Sequence, residues 1–206
     1  MPALHSTVAR LRRLALLDLR VFDELRFDST ATVPALVIAA VGLIALGLGG
    51  WLWWLVSGLG DTGAVFVKTV LLGAAFGFAA WLLWLLVIYA VLRQVSDLTL
   101  PVEQLLRTAG FATAPLVVAL AMVIPAISFG VGLLALAAWA VTTHVAVERT
   151  IGRTGGDVLA ANLAGFGAWV IVMSLLATGS NQIGPGPFLA ESVWDAITSA
   201  NLVFRG

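Results

Sequence analysis

Residues 33–56 read VPALVIAAVGLIALGLGGWLWWLV, twenty-four positions without one ionisable side chain. A helix rises about 1.5 Å per residue, so this run reaches about 36 Å, enough to cross the ~30 Å hydrocarbon layer of a bilayer. The pattern recurs along the chain. A second uncharged run extends from Thr69 to Leu92, with Lys68 just before it. Ala112 to Ser128 and Val131 to Val147 form a pair separated by Phe129-Gly130, and Leu159 to Thr178 is the fifth. No run alternates as barrel strands do. The expected fold is therefore all-α: a polytopic membrane helix bundle of about five transmembrane helices. The third and fourth runs are short, Pro125 kinks or ends the third, and a single re-entrant hairpin is the alternative for this pair.

Composition agrees. Of 206 residues, 61% are hydrophobic and 11% charged, against about 25% charged in soluble domains. The mean hydropathy is +1.05. Eleven basic and 11 acidic residues cancel, so no overall basic field exists to hold nucleic acid. The lack of cysteine removes disulfides, thiolate metal sites and cysteine nucleophiles.

The few charges supply a topology. Arg10, Arg12, Arg13, Arg20 and Arg26 precede the first run, Arg93 and Arg107 follow the second, and Arg149 and Arg153 follow the fourth. With five spans, these nine of the 11 basic residues share one side, which the positive-inside rule makes cytoplasmic. The expectation is a multi-pass protein of the cytoplasmic (inner) membrane, N-terminus cytoplasmic and C-terminus outside. The chain divides into a cytoplasmic amphipathic segment, 1–32; a five-helix transmembrane domain, 33–178; and an extracytoplasmic tail, 179–206. In the first, Leu4, Val8, Leu11, Leu14, Val21, Phe22 and Leu25 recur at helical steps with Arg10, Arg13, Asp18 and Arg20 between them, the mark of an interfacial helix. The tail opens with Gly184-Pro185-Gly186-Pro187, a loop signal. Leu189, Val193 and Ile197 then suggest a short helix on the outer surface.

Ionisable groups inside a bilayer are costly and usually mark function; the deep parts of these runs contain none. Proton relays and ion-coupled sites lack their material, and no catalytic motif appears, so the expectation is a protein that is not an enzyme, with no catalytic, metal or cofactor residues. Three weaker constellations remain. Thr143, His144 and Asn162 can line a shallow cytoplasmic polar cleft, with His144 and Glu148 at i,i+4 able to pair. Gly73 and Gly77, and the ladder Ala160, Ala164 and Ala168, have the small-xxx-small spacing of close helix packing, within the bundle or between copies. Trp51, Trp53 and Trp54 mark an interface, while Trp81 and Trp84 lie deeper, where packing is the ordinary role.

The most distinctive stretch joins the second and third runs. Asp97-Leu98-Thr99-Leu100-Pro101 is followed by Val102 to Thr108 and then Gly110-Phe111-Ala112-Thr113-Ala114-Pro115. It reads as a short cytoplasmic elbow helix starting after Pro101, with Glu103 and Arg107 paired at i+4, broken by Gly110. Asp97, Leu98 and Pro101, then Gly110, Phe111 and Pro115, resemble the Yip domain family of five-span membrane proteins, and Trp139 looks like its bacterial members. Thr99-Leu100 departs from the Tyr-Gly of eukaryotic members. The resemblance implies a membrane scaffold or adaptor without enzymatic activity, binding lipid, other membrane proteins or itself, with the six motif residues as a partner-docking surface. The Rab interaction of eukaryotic members is not carried over: ten Arg to one Lys looks like a GC-rich bacterium or archaeon, and bacterial members lack a settled activity. The alternatives are a small accessory subunit of a bioenergetic or transport complex and, further off, a transporter of an uncharged or lipid-like molecule.

Overall fold

Five helical rods, each long and apolar enough to span a bilayer, make up most of the structure, a computed structural model that describes residues 2–58, 62–96, 101–177 and 184–189. All regular structure among the described residues is helical. The chain is thus an all-α, multi-pass membrane bundle.

The N-terminal segment forms two helices. Helix α1 (Pro2–Ala15) ends at a turn in which Leu17 takes a left-handed φ of 61°, and the short α2 (Val21–Leu25) follows. Val21, Phe22 and Leu25 are fully buried against Ala35, Phe111 and Ala146, so the segment is docked on the bundle. The Asp28 carboxylate accepts the backbone N–H of Thr30 and caps the 3-10 turn Ser29–Ala31 that leads into the first span.

That span is α3 (Thr32–Ser57), closed by Gly58 at φ 67°, the left-handed stop typical of glycine. The second rod starts with α4 (Thr62–Phe66), passes through a π-helical turn at Val67–Leu72, and continues as α5 (Gly73–Ser96). Helices α7 (Ser128–Ile151) and α8 (Gly156–Ala177) are the fourth and fifth spans, joined by a turn at Gly152, φ 77°.

The third span departs from the sequence expectation. The elbow helix exists as α6 (Val102–Ala112) but does not break at Gly110. A Cβ there would lie 2.6 Å from the Ala35 carbonyl oxygen, so this glycine permits contact between helices instead of ending one. Most of α6 is buried, and after Thr113 the chain continues as a 3-10 helix, Ala114–Val123. At about 1.5 and 2.0 Å per residue, α6 and the 3-10 helix together reach about 36 Å, a full crossing. The hairpin break is likewise displaced. It falls at Ile124–Ile127, where Pro125 cannot donate to the preceding turn, while Phe129 and Gly130 are already inside α7.

Close approaches along α3 give the direction of packing. Ala35 meets Gly110, Gly42 meets Thr113, and a Cβ on Gly49 would come within 2.0 Å of the Ala119 carbonyl oxygen. Numbers rise together on both elements, so spans one and three run parallel. By contrast Gly165 of α8 lies against Trp84 of α5, and Gly77 of α5 lies near Trp169 of α8, an antiparallel pair. Both directions are those of five successive crossings.

Residues 184–189 fold back into the bundle at the end away from the arginines. Gly184 to Pro187 and Leu189 are buried. Gly186, at φ 59°, sits where a side chain would strike Leu46; Pro185 lies over Gly73, Pro187 over Gly132, and the Phe188 ring is 5.8 Å from Trp169. The stretch that signals a loop is buried as a plug, while the tail helix expected from Leu189 onward lies, past Leu189, outside the described residues. The bundle exterior is apolar, with Val37, Leu134, Val141, Ile171 and Leu175 exposed, as a lipid-facing surface requires.

Candidate functional site

The densest polar arrangement lies at the basic end of the bundle, where the N-terminal segment clasps spans one, three and four. Arg107 of α6 is 7% exposed. Its Nε donates to Thr32 Oγ1 at 2.9 Å, its Nη1 to the Arg26 carbonyl at 3.1 Å, and its Nη2 to Glu103 Oε2 at 3.0 Å, the i+4 pair expected from spacing. Arg26 Nη1 donates in turn to the carbonyls of Arg149 and Thr150, at 2.9 and 3.4 Å. It thereby caps the last turn of α7, where free carbonyls and the helix dipole favour a cation. Arg149 Nη1 reaches back to Asp23 Oδ2 at 3.3 Å, and the hydroxyls of Thr108 and Thr150 meet at 2.7 Å. At a neighbouring corner Asp157 takes hydrogen bonds from Ser96 and Arg153 and ties α5 to α8.

Within the N-terminal segment Arg10 pairs with Asp28 at 2.6 Å, and Arg13 binds both Asp18 and Glu24. The Thr30 hydroxyl, then the Arg10 guanidinium, hold the Asp28 carboxyl below the usual aspartate range; the Arg13 guanidinium does the same for Asp18. Arg12 and Arg20 are exposed and make no ion pair among the described residues. Leu16 and Leu17 protrude beside them, 73% and 80% exposed. The clasp thus has an interior side held by polar bonds and an exterior side that exposes Arg12, Arg20 and two leucines.

The motif residues divide. Asp97 and Leu98 lie outside the described residues. Pro101 is exposed at the start of α6, and Pro115 opens the 3-10 helix. Gly110 and Phe111 are buried against α3 and α2, which makes them packing residues.

Thr143, His144 and Asn162 occupy neighbouring turns at the border of α7 and α8 but make no bonds with one another. Asn162, 2% exposed, donates its Nδ2 to the Ala140 carbonyl at 3.1 Å. Thr143 is fully buried with no partner for its hydroxyl, and His144 Nε2 faces Glu148 Oε1 at 3.4 Å. Two of the three point into the packed interior, so they form a buried seam, not an open cleft.

The small residues also divide. Gly73 and Gly77 face inward, against Pro185 and Leu43, and the Gly77 carbonyl accepts the indole N–H of Trp169 at 3.0 Å. Ala160 and Ala164 are exposed and Ala168 is half-buried; the inward face of α8 carries Ala161 and Gly165 instead. At Gly165 a Cβ would fall 2.0 Å from Trp84 Cδ1.

The interior of the bundle is aromatic. Trp81, Trp84, Trp139 and Trp169 are all fully buried. Trp84 packs edge-to-face on Trp139 with centroids 4.9 Å apart, Trp139 on Trp169 at 5.0 Å, and Trp84 against Phe166 at 5.2 Å. Composition showed the tryptophans but not that three helices bring them into one cluster. The roles of Arg26 and Arg107 rest on contacts more than 70 residues apart in sequence, for which no local signal exists. Among the described residues no three His, Asp or Glu side chains converge as a metal site would require. No family model, no curated protein and no solved structure matches this chain.

Proposed function

We propose that the protein is a non-enzymatic membrane scaffold or adaptor of the Yip type, seated in the cytoplasmic (inner) membrane with its basic face in the cytoplasm. The observation that carries this reading is the clasp. Its inner side is tied to spans one, three and four, and its outer side offers Arg12, Arg20, Leu16 and Leu17 to lipid headgroups or to another membrane protein. A pair of cations beside protruding leucines suits an anionic interfacial surface, and a rigid, prebuilt platform loses little entropy on binding.

The runner-up, an accessory subunit of a larger membrane complex, draws on the outer face of α8. There Ala160 and Ala164 stand exposed between Leu159, Leu163 and Ile171, a surface a neighbouring span can approach closely.

Purification in mild detergent followed by native mass spectrometry tests both. Retained lipid or membrane proteins, lost from an Arg12→Ala/Arg20→Ala variant, support the scaffold. Partners at fixed stoichiometry, lost on Ala164→Leu but not on the arginine changes, support the subunit reading. A bare monomer refutes both. Orientation is tested with reporters at residues 5, 60, 100, 155 and 200. Positions 5, 100 and 155 should report cytoplasmic and 60 and 200 external; a cytoplasmic signal at 200 overturns the assignment.

A further inference from the structure

Four polar atoms without a protein partner belong to residues that pack where α5, α7 and α8 meet: the indole Nε1 of Trp84, the indole Nε1 of Trp139, Thr143 Oγ1 and Asn162 Oδ1. Their neighbourhood follows from contacts already described. The Trp84 and Trp139 rings are in contact, and Trp139 and Thr143 stand one turn apart on the same side of α7. Asn162 bonds to Ala140 between them, and Gly165, one turn along α8 from Asn162, lies against Trp84. The other orphaned atoms stand elsewhere. Trp54 closes α3, Arg26 belongs to the clasp, His144 points about 100° around α7 from Thr143, and the Trp81 ring packs on Phe78.

A buried polar group left unpaired costs about 1–3 kcal/mol, and inside a bilayer no solvent is at hand to relieve it. Four in one place are not tolerated without a reason. Their chemistry is complementary. Two are N–H donors with nothing to accept them. Asn162 Oδ1 is an acceptor with nothing donated to it, and the Thr143 hydroxyl can accept as well. A water molecule accepts two hydrogen bonds and donates two, and buried waters typically bridge such groups.

We infer that an internal water molecule sits in this seam, accepting from Trp84 and Trp139 and donating to Thr143 and Asn162. It is a structural ligand of the bundle, and it adds to the direct hydrogen bonds, Asn162 to Ala140 and Trp169 to Gly77, that already tie these three spans. It also accounts for polar residues at Thr143 and Asn162 in the middle of a tryptophan cluster, where leucine and valine would pack as well.

X-ray footprinting of the purified full-length protein tests this, because radiolysis of a bound water oxidises the side chains that touch it even when bulk solvent cannot reach them. Trp169 supplies an internal control: it is as buried as Trp84 and Trp139, but the Gly77 carbonyl satisfies its N–H. Oxidation of Trp84 and Trp139 is expected to run severalfold faster than that of Trp169, and to fall to the Trp169 rate in a Thr143→Val/Asn162→Leu variant. Equal rates for the three tryptophans in the wild-type protein overturn the inference. The wild-type comparison is made within one sample, so it decides the matter even if the double variant fails to fold.

Discussion

Gly165→Ala is the sharpest probe of the packing described above. The added methyl carbon would lie 2.0 Å from Trp84 Cδ1 and 2.8 Å from the Trp84 carbonyl oxygen. Carbon atoms rest about 3.5–4.0 Å apart, so roughly 1.5 Å of displacement is needed. Trp84 cannot swing aside, because Trp139 and Phe166 hold it on other sides, and the carbonyl belongs to α5 itself. The two helices must separate. Overpacking of this kind costs about 1–3 kcal/mol, against which alanine recovers up to about 1 kcal/mol of helix propensity. The net loss is about 1–2 kcal/mol, or roughly 2–8 °C in Tm for a chain of this size. Gly167→Ala is the matched control, since a Cβ at Gly167 meets nothing within 4 Å; it should be neutral or slightly stabilising. Both are compared by thermal unfolding in one detergent, followed by tryptophan emission. Equal melting temperatures for the two variants would refute the placement of Trp84 between α5 and α8.

Three further outcomes are expected. Arg107→Ala should destabilise by about 2–3 kcal/mol, because it leaves the Arg26 carbonyl without its donor and the Thr32 hydroxyl with only its bond to Ser29, whereas Glu103→Gln, at a side chain 80% exposed, should change stability by less than about 0.5 kcal/mol; thermal melts of the pair decide. Phe22→Ala should cost about 3–5 kcal/mol of docking energy and release α1 and α2 from the bundle, read as faster tryptic cleavage at Arg12 and Arg13 with the spans still folded. The Asp28 carboxyl is held below its ordinary pKa by Thr30 and Arg10, so its stabilising effect is complete above the ordinary aspartate value and is lost as pH falls through the lowered one. Tryptic sensitivity cannot be read at such pH, but pepsin cleavage of the N-terminal segment should rise there, and Asp28→Asn should show that sensitivity at higher pH.

The spans were legible because one cause, hydrocarbon exposure, acts on every residue of a rod. The uncharged run Val33–Val56 lies within the helix Thr32–Ser57, and the run from Leu159 matches the helix Gly156–Ala177. What could not be read depended on neighbours distant in sequence. Gly110 looks like a helix breaker until Ala35 is seen beside it. Alanine spacing is the same on both sides of α8, so Ala160 and Ala164 could not be told from Ala161 and Gly165 before the partner helix was placed. The Gly-Pro-Gly-Pro stretch signalled a loop but not its depth. It is tolerated inside because prolines bring no N–H to satisfy and because Gly50, Gly73 and Gly132 leave room for it. The clasp was half visible: the apolar period placed Val21, Phe22 and Leu25 on one face, but nothing local said that Arg26 would cap α7.

The plug formed by residues 184–189 also constrains the order of assembly. Its seat is built from α3, α5, α7 and α8, and it is synthesised after all of them. Helices can enter a membrane independently and associate afterwards, but this seat does not exist until four of them have met. Residues 184–189 can therefore settle only after those four helices have come together, so their docking reports completed assembly of this end of the bundle.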